Sequence, residues 1–194
     1  MLKAVQEKLV FLSKFSRSPR QIGSVTPSSV YLARKMVRQV DWAATEAVAE
    51  LGAGTGAITK QIVGSMKSGT ACLLFEKDDD LRAGLRERFP ECVCCDDAAR
   101  LCDHMQAARI DGLDCVISGL PFFNFPPQLR EKLIGQVADA LKPGGLFVAF
   151  QYSQQMKRLL SRHFVLEKIL FVPLNVPPAF VYVCRRKEDK NDAS

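Results

Sequence analysis

The sequence has no run of about eighteen consecutive apolar residues, so no segment is expected to cross a bilayer as a helix. Its N-terminus lacks the apolar core and small-residue cleavage site of a secretory signal, and a cytoplasmic location is the expectation. It has no internal repeat, no low-complexity tract and no evident interdomain linker; at 194 residues, one domain is expected. Its cysteines are odd in number, seven, and several fall inside apolar runs, where a thiol behaves as a small hydrophobe in a reducing compartment. Only Cys92, Cys94 and Cys95 cluster. No second pair stands at zinc spacing, so no metal is expected.

Acidic side chains are nearly missing from the first forty residues, which hold eight basic groups and one acid, Glu7. The other 154 residues are close to balanced, with nineteen basic and twenty acidic groups. The whole excess of the +6 net charge therefore sits in an N-terminal segment, here taken as residues 1–40, ahead of a body at 41–194. Such asymmetry points to an anionic partner, either a membrane surface or nucleic acid. Residues 2–16 read as an amphipathic helix, with Leu2, Val5, Leu9, Phe11, Leu12 and Phe15 on one side and Lys3, Gln6, Glu7, Ser13, Lys14 and Arg17 opposite. That pattern suits a helix lying in a membrane interface or a lid packed on the body. Ser28 or Ser29 is placed to cap a second helix over 30–40.

Beyond residue 40, apolar runs alternate with helical patterns, as in a parallel α/β sheet. Strands are expected at 47–51, 71–75, 92–95, 113–118 and 146–152, with a closing pair at 165–172 and 180–185. Helices are expected at 57–66, 79–89, 127–141 and 154–163. Between the first strand and helix lies Glu50-Leu51-Gly52-Ala53-Gly54-Thr55-Gly56. Gly52 allows a tight turn, Gly54 lets a ligand approach bare backbone, and Gly56 permits close helix–strand packing. A glycine loop alone also fits a dinucleotide. Glu50, however, would repel a pyrophosphate and attract a ligand carrying ammonium and sulfonium charges.

Glu76 ends the second strand, where an acid can accept ribose hydroxyls; the alternative is a solvated carboxylate beside Lys77. Asp96-Asp97-Ala98 closes the third strand. Asp97 can accept from an adenine amino group or cap the following helix, and both roles can coexist. The fourth strand runs into Ser118-Gly119-Leu120-Pro121-Phe122-Phe123-Asn124-Phe125-Pro126, at the strand ends where open sheets bind ligands.

As a set these motifs resemble the class I S-adenosylmethionine-dependent methyltransferases. The resemblance implies a single Rossmann-like domain with a seven-stranded, mostly parallel sheet whose last strand is antiparallel. It also implies S-adenosylmethionine as cofactor, held by Ser28, Glu50, Gly52, Gly54, Thr55, Gly56, Glu76, Lys77, Asp97, Ala98 and Ser118. The acceptor then meets Gly119, Leu120, Pro121 and Phe122. Adenine N-methyltransferases carry Asn or Asp where this chain has Gly119, which leaves the backbone carbonyls of Gly119 and Leu120 as acceptors. Phe122 and Phe123 are candidates to line the path of a methylated ammonium.

Over its full length the chain is most similar to bacterial phospholipid N-methyltransferases, which are related to ribosomal RNA adenine dimethylases. The segments 23–29, 52–56, 117–126 and 175–179 carry this similarity. It implies methylation of phosphatidylethanolamine-type amines at an anionic membrane surface, with peripheral association and no obligate protein partner. RNA adenine or a small soluble molecule are the alternative acceptors. Some members have Arg where this chain has Leu174. Tyr31, Tyr152 and His163 are candidate proton acceptors, although each also suits packing, and His104 is expected at the surface.

Overall fold

The computed structural model describes residues 28–188. The expected amphipathic helix at 2–16 lies outside them. The elements are α1 (Val30–Val37), β1 (Ala47–Leu51), α2 (Thr59–Val63), β2 (Ala71–Phe75), α3 (Asp79–Arg88), β3 (Val93–Cys95), α4 (Leu101–Ala107), β4 (Leu113–Ser118), α5 (Pro127–Ala140), β5 (Leu141–Gln151), α6 (Lys157–His163), β6 (Phe164–Val172) and β7 (Ala179–Arg186). The seven strands form one sheet in the order β3-β2-β1-β4-β5-β7-β6. The first five are parallel, and β7 runs antiparallel to both β5 and β6. The single Rossmann-like sheet is therefore the one the sequence implied.

Every residue of β1 is buried, which follows from helices covering both faces of a parallel sheet. Alternate residues feed two cores. Ala47, Ala49, Leu51, Leu73 and Phe75 face α4, α5 and α6 through Leu101, Leu133, Val137 and Leu160. Val48, Cys72 and Leu74 face the other way, toward Ile62 of α2 and Leu85 of α3. On that same side Leu32, Ala33 and Met36 of α1 are fully buried, in one core with Val148, Val181 and Val183. Residues 30–37, grouped by charge with the N-terminal segment, are thus packed into the body. Ser29 caps α1, its Oγ accepting from the Leu32 amide at 3.1 Å.

Most expected elements moved at one end or both by one to three residues, and two changed more. The helix at 57–66 shortens to Thr59–Val63, and Lys142-Pro143-Gly144-Gly145 lies within β5 as an irregularity. There Leu141 pairs with Leu113 and Leu146 with Cys115, so the extra residues loop out of the ladder. Lys142 ties the bulge to β4 through a 2.7 Å bond to Asp114. All seven thiols are free, and five are buried. Among the described residues no group of His, Cys, Asp or Glu is gathered to hold a metal ion, and no helix is long and apolar enough to cross a membrane.

Because β6 runs parallel to β5, the turn after β6 lies at the carboxyl end of the sheet, beside the loops after β1, β2, β4 and β5. The N-terminus of α1 is fixed at that end too, since the Ser29 amide donates to Asn175 Oδ1 at 3.0 Å. Segments 23–29 and 175–179, which stood out in the sequence, thus meet where Ser29 bonds Asn175.

Candidate active site

The glycine loop is pinned to the next strand. The amides of Gly52 and Ala53 both donate to the Phe75 carbonyl, at 2.8 and 3.0 Å. Gly52 takes a φ of +77°, and a Cβ there would lie 2.8 Å from Leu120 Cδ2, so the loop after β4 fits against bare backbone. Gly54 differs: its φ is +54°, and a Cβ would meet nothing within 4 Å. Open space therefore stands in front of Gly54. Gly56 packs against Phe89 and Leu85 of the α3 region, rather than helix on strand as the sequence suggested. Thr55 is exposed, and its carbonyl accepts from Arg88 at 3.0 Å.

Glu50 is fully buried. Its Oε2 accepts from Thr59 Oγ1 at 2.6 Å, while Oε1 has no partner among the described residues. Burial pushes the Glu50 carboxyl up to about 8; the Thr59 hydroxyl opposes that rise and the Glu76 charge adds to it. Glu76 bridges the end of β2 to the loop: Oε2 accepts from the Gly54 amide at 2.7 Å and Oε1 from the Asp78 amide at 2.9 Å. Each oxygen retains acceptor capacity. Lys77 is exposed and contributes only its carbonyl, to Arg82. Asp97 is exposed and caps the turn Ala98–Arg100 through the Ala99 amide at 2.9 Å, with Ala98 half-buried behind it. His104 is not the surface residue expected. It is half-buried, edge-on to Phe75 at 5.4 Å, and reaches Asp96 at 3.1 Å.

At the end of β4, Ser118 is fully buried, and its Oγ accepts from the Leu120 amide at 3.2 Å. The Gly119 amide donates to the Leu51 carbonyl at 2.9 Å, and a Cβ on Gly119 would stand 3.1 Å from the Gly52 carbonyl. The acceptor loop and the glycine loop therefore touch along this seam. Two expectations change here. The Leu120 carbonyl is not open to an acceptor amine, because it already accepts from the Phe122 amide at 3.0 Å and from Gln151 Nε2 at 2.9 Å. Phe122 does not line a path: it is fully buried, edge-on to Phe125 and Phe147, as part of the core. Phe123 is the exposed ring of the pair, with the Arg130 guanidinium 4.6 Å above it. Pro121 is half-buried at the start of this turn.

Sequence reasoning passed over Thr59, Arg130 and Gln151, and marked Asn175 only as part of the segment 175–179. Arg130 donates to the carbonyls of Phe122, Phe123 and Phe125, holding the acceptor loop from α5. Asn175, nearly fully buried, accepts from Ser29 and donates to the Pro177 carbonyl at 2.7 Å, beside a cis Val176–Pro177 bond. Ser28 precedes that contact. Of the candidate proton acceptors, Tyr31 is exposed and Tyr152 stacks edge-on against Phe150. Burial raises the Tyr152 phenol above its ordinary range, although its bond to Asn175 opposes this. His163 ends α6 beside the first residue of β6, at the amino end of the sheet, facing Glu131.

No family model matches the chain. It is 36% identical over 186 residues to an ornithine lipid N-methyltransferase from Singulisphaera acidiphila, covering 93% of this chain and 97% of that protein. It is 29% identical over 126 residues to the ribosomal RNA small subunit methyltransferase A of Thermotoga maritima, of which it spans 43%. Among solved structures, the N-methyltransferase NodS from Bradyrhizobium japonicum superposes with a TM-score of 0.66 at 12% identity, over 80% of this chain and 94% of that one. The chain belongs to the class I S-adenosylmethionine-dependent methyltransferases. Within them it falls in the family of the Singulisphaera enzyme.

The site suits this methyltransferase's cofactor on its own geometry. A buried carboxylate oxygen without a donor at Glu50 calls for a cationic partner, and the ligand's ammonium is one. The clear space at Gly54 admits a ligand against the backbone, and Glu76 has lone pairs left for ribose hydroxyls.

Proposed function

We propose that this enzyme methylates the primary amine of a membrane lipid, docking peripherally on an anionic bilayer to reach it. The observation that carries this reading is the 36% identity that runs through 97% of a lipid N-methyltransferase. The RNA methyltransferases align over 64% of the chain at most, and Gly119 replaces the side-chain acceptor of an adenine site. Between headgroups, phosphatidylethanolamine was the expectation from sequence. Leu174 favours an ornithine-type headgroup instead: it is 61% exposed, and the turn 173–178 that holds it has no charge to offer a phosphate.

Bound S-adenosylmethionine supplies an electrophilic methyl group on a sulfonium sulfur. Glu50 offsets the ligand's positive charge, Glu76 accepts from its ribose, and Gly54 leaves it room. The Asp97 carboxylate, exposed beside Ala98, is positioned to accept from its adenine. Gly119, Leu120 and Pro121, packed against the glycine loop, would stand beside this ligand when it is bound. An alkylammonium has a pKa of about 10.4, so the amine must shed a proton before it can attack. Apolar surroundings disfavour the charged form and lower that barrier. In-line displacement then needs alignment more than a dedicated base.

The test is direct. The enzyme is incubated with methyl-labelled cofactor and vesicles of phosphatidylethanolamine, vesicles of ornithine lipid, or ribosomal RNA. Label in the lipid phase is expected, strongest in ornithine lipid. Label confined to RNA overturns the reading.

A further inference from the structure

The described residues expose nine large apolar side chains, and six of them stand on three segments at the carboxyl end of the sheet. Val30 and Tyr31 occupy the first turn of α1, Phe123 the loop after β4, and Phe171, Leu174 and Val176 the end of β6 and the turn beyond. These segments surround the acceptor side of the site. The bond from Ser29 to Asn175 joins the first to the third, and Arg130 stiffens the second.

Charge is sorted in the same way. Residues 28–38, 119–130, 152–166 and 173–179 contain no Asp or Glu. The loops on the cofactor side and the first turn of α3 hold Glu76, Asp78, Asp79, Asp80, Asp96 and Asp97. Beside the apolar groups stand Arg34, Lys35, Lys157 and Arg158, all exposed. The chain of residues 1–27, with five basic groups and one acid, joins the body at Ser28 on this rim.

We infer that this apolar, acid-free rim is the surface that seats on the bilayer, with Leu174 and Val176 entering the interface between headgroups and acyl chains. The inference rests on the lipid-amine reading and adds to it the face and the side chains that make contact. Inserted apolar groups combined with basic side chains over anionic lipid are the general requirement for interfacial binding. The orientation also brings the acceptor side of the seam at Gly119 to the membrane while the acidic cofactor side faces water.

The full chain carrying Leu174→Asp and Val176→Asp is compared with wild type on vesicles of phosphatidylethanolamine and phosphatidylglycerol. The side chains are 61% and 71% exposed, so the fold should tolerate both changes. Vesicle affinity should fall about tenfold or more, while affinity for S-adenosylhomocysteine stays unchanged. In Val176→Asp alone, methylation of a short-chain, monomeric form of the lipid that wild type methylates should persist. Wild-type vesicle binding by the variant overturns the inference and leaves the lipid reading standing; a wild-type enzyme that methylates no lipid overturns that reading instead. Val176→Trp in a chain that also carries Trp42→Phe, so that the new indole is the sole one, gives a second measure. Its emission should shift to the blue and be quenched by brominated-lipid vesicles. Emission already blue without vesicles and unaltered by them means that residues 1–27 or a second copy cover the rim, which also overturns the inference.

Discussion

The carboxyl end of the sheet is built by two different means. Over β3, β2 and β1, the site is made of backbone amides, bare glycines and acids, and the bonds of the two strand-end glutamates are short in sequence: Glu50 to Thr59 spans nine residues and Gly54 to Glu76 twenty-two. Over β4, β5, β7 and β6, it is made of apolar groups and basic side chains; Arg130 holds the loop after β4 locally, and the bonds that join separate segments are long. Ser29 to Asn175 spans 146 residues, and Leu120 to Gln151 thirty-one. On the proposed reading, a cofactor of fixed structure is met by a local cradle. The acceptor side is instead assembled from three loops whose mutual placement depends on the whole sheet. The two sides meet at Gly119, against the Gly52 carbonyl.

The sharpest break between the two sides is expected from Gly54→Val. The new side chain enters the open space that we assign to the ligand, so affinity for S-adenosylmethionine should become unmeasurable by calorimetry. Gly54 has a φ of +54°, and a β-branched residue there is strained, so the melting temperature should also fall, by several degrees. Binding to anionic vesicles should be retained. Loss of both bindings together in a variant that remains folded would show that the two sides are not separable.

The same contrast explains what was legible in the sequence. Strands 47–51, 71–75 and 113–118 were read to their final bounds, because a strand covered on both faces is a plain apolar run between turn residues. Glu50, Gly54 and Glu76 could be read because spacing along the chain sets their geometry. Phe122 was misread because its neighbour Phe123 is the exposed one, and nothing in a pair of phenylalanines says which turns inward. Gln151 and Arg130 show no site role in the sequence, and Asn175 shows none beyond its place in the segment 175–179, because their partners are main-chain groups. The carbonyl of Leu120 and the amide of Ser29 have no signature in sequence, and only the folded sheet brings them to these side chains.

A smaller effect, confined to the cofactor side, is expected from Glu50→Gln. In the folded protein without ligand, the Glu50 carboxyl is raised from 4.5 to about 8, so its contribution to stability is full below pH 4.5 and is lost as pH rises through 8. Gln has no such charge and can still accept from Thr59. The variant should therefore melt higher than wild type above pH 8 and much like it near pH 4. A cationic ligand favours the carboxylate, so wild-type binding at pH 7 should release a proton, visible as a buffer-dependent heat in calorimetry. The variant should release none and bind about ten- to a hundredfold more weakly, as expected for loss of a buried hydrogen bond to a charge. Equal proton release by the two proteins would remove Glu50 from the binding account.

The smallest effect expected is that of Asn175→Ala, and it belongs to the acceptor side. The side chain is 3% exposed and, besides its bond to the Tyr152 phenol, makes two main-chain bonds, accepting from the Ser29 amide and donating to the Pro177 carbonyl. Truncation leaves both main-chain groups without their partner, at a cost of about 1–3 kcal/mol, the usual penalty for stranding buried polar groups. For a chain of this length, that is a loss of roughly 5 °C in melting temperature. The functional consequence should exceed the thermal one on one side only. Freed from Asn175, the first turn of α1 and the turn after β6 no longer hold a fixed separation, so lipid methylation in vesicles should fall several-fold while S-adenosylhomocysteine binds as before. Asn175→Asp separates the two bonds, because its carboxylate can still accept from Ser29 but cannot donate to Pro177. If the link to α1 is what matters, Asp should recover most of the vesicle activity. If Ala and Asp are equally impaired, the bond that organises the acceptor side is the one within the turn. A parallel fall in cofactor affinity would mean that Asn175 supports both halves of the carboxyl end rather than one.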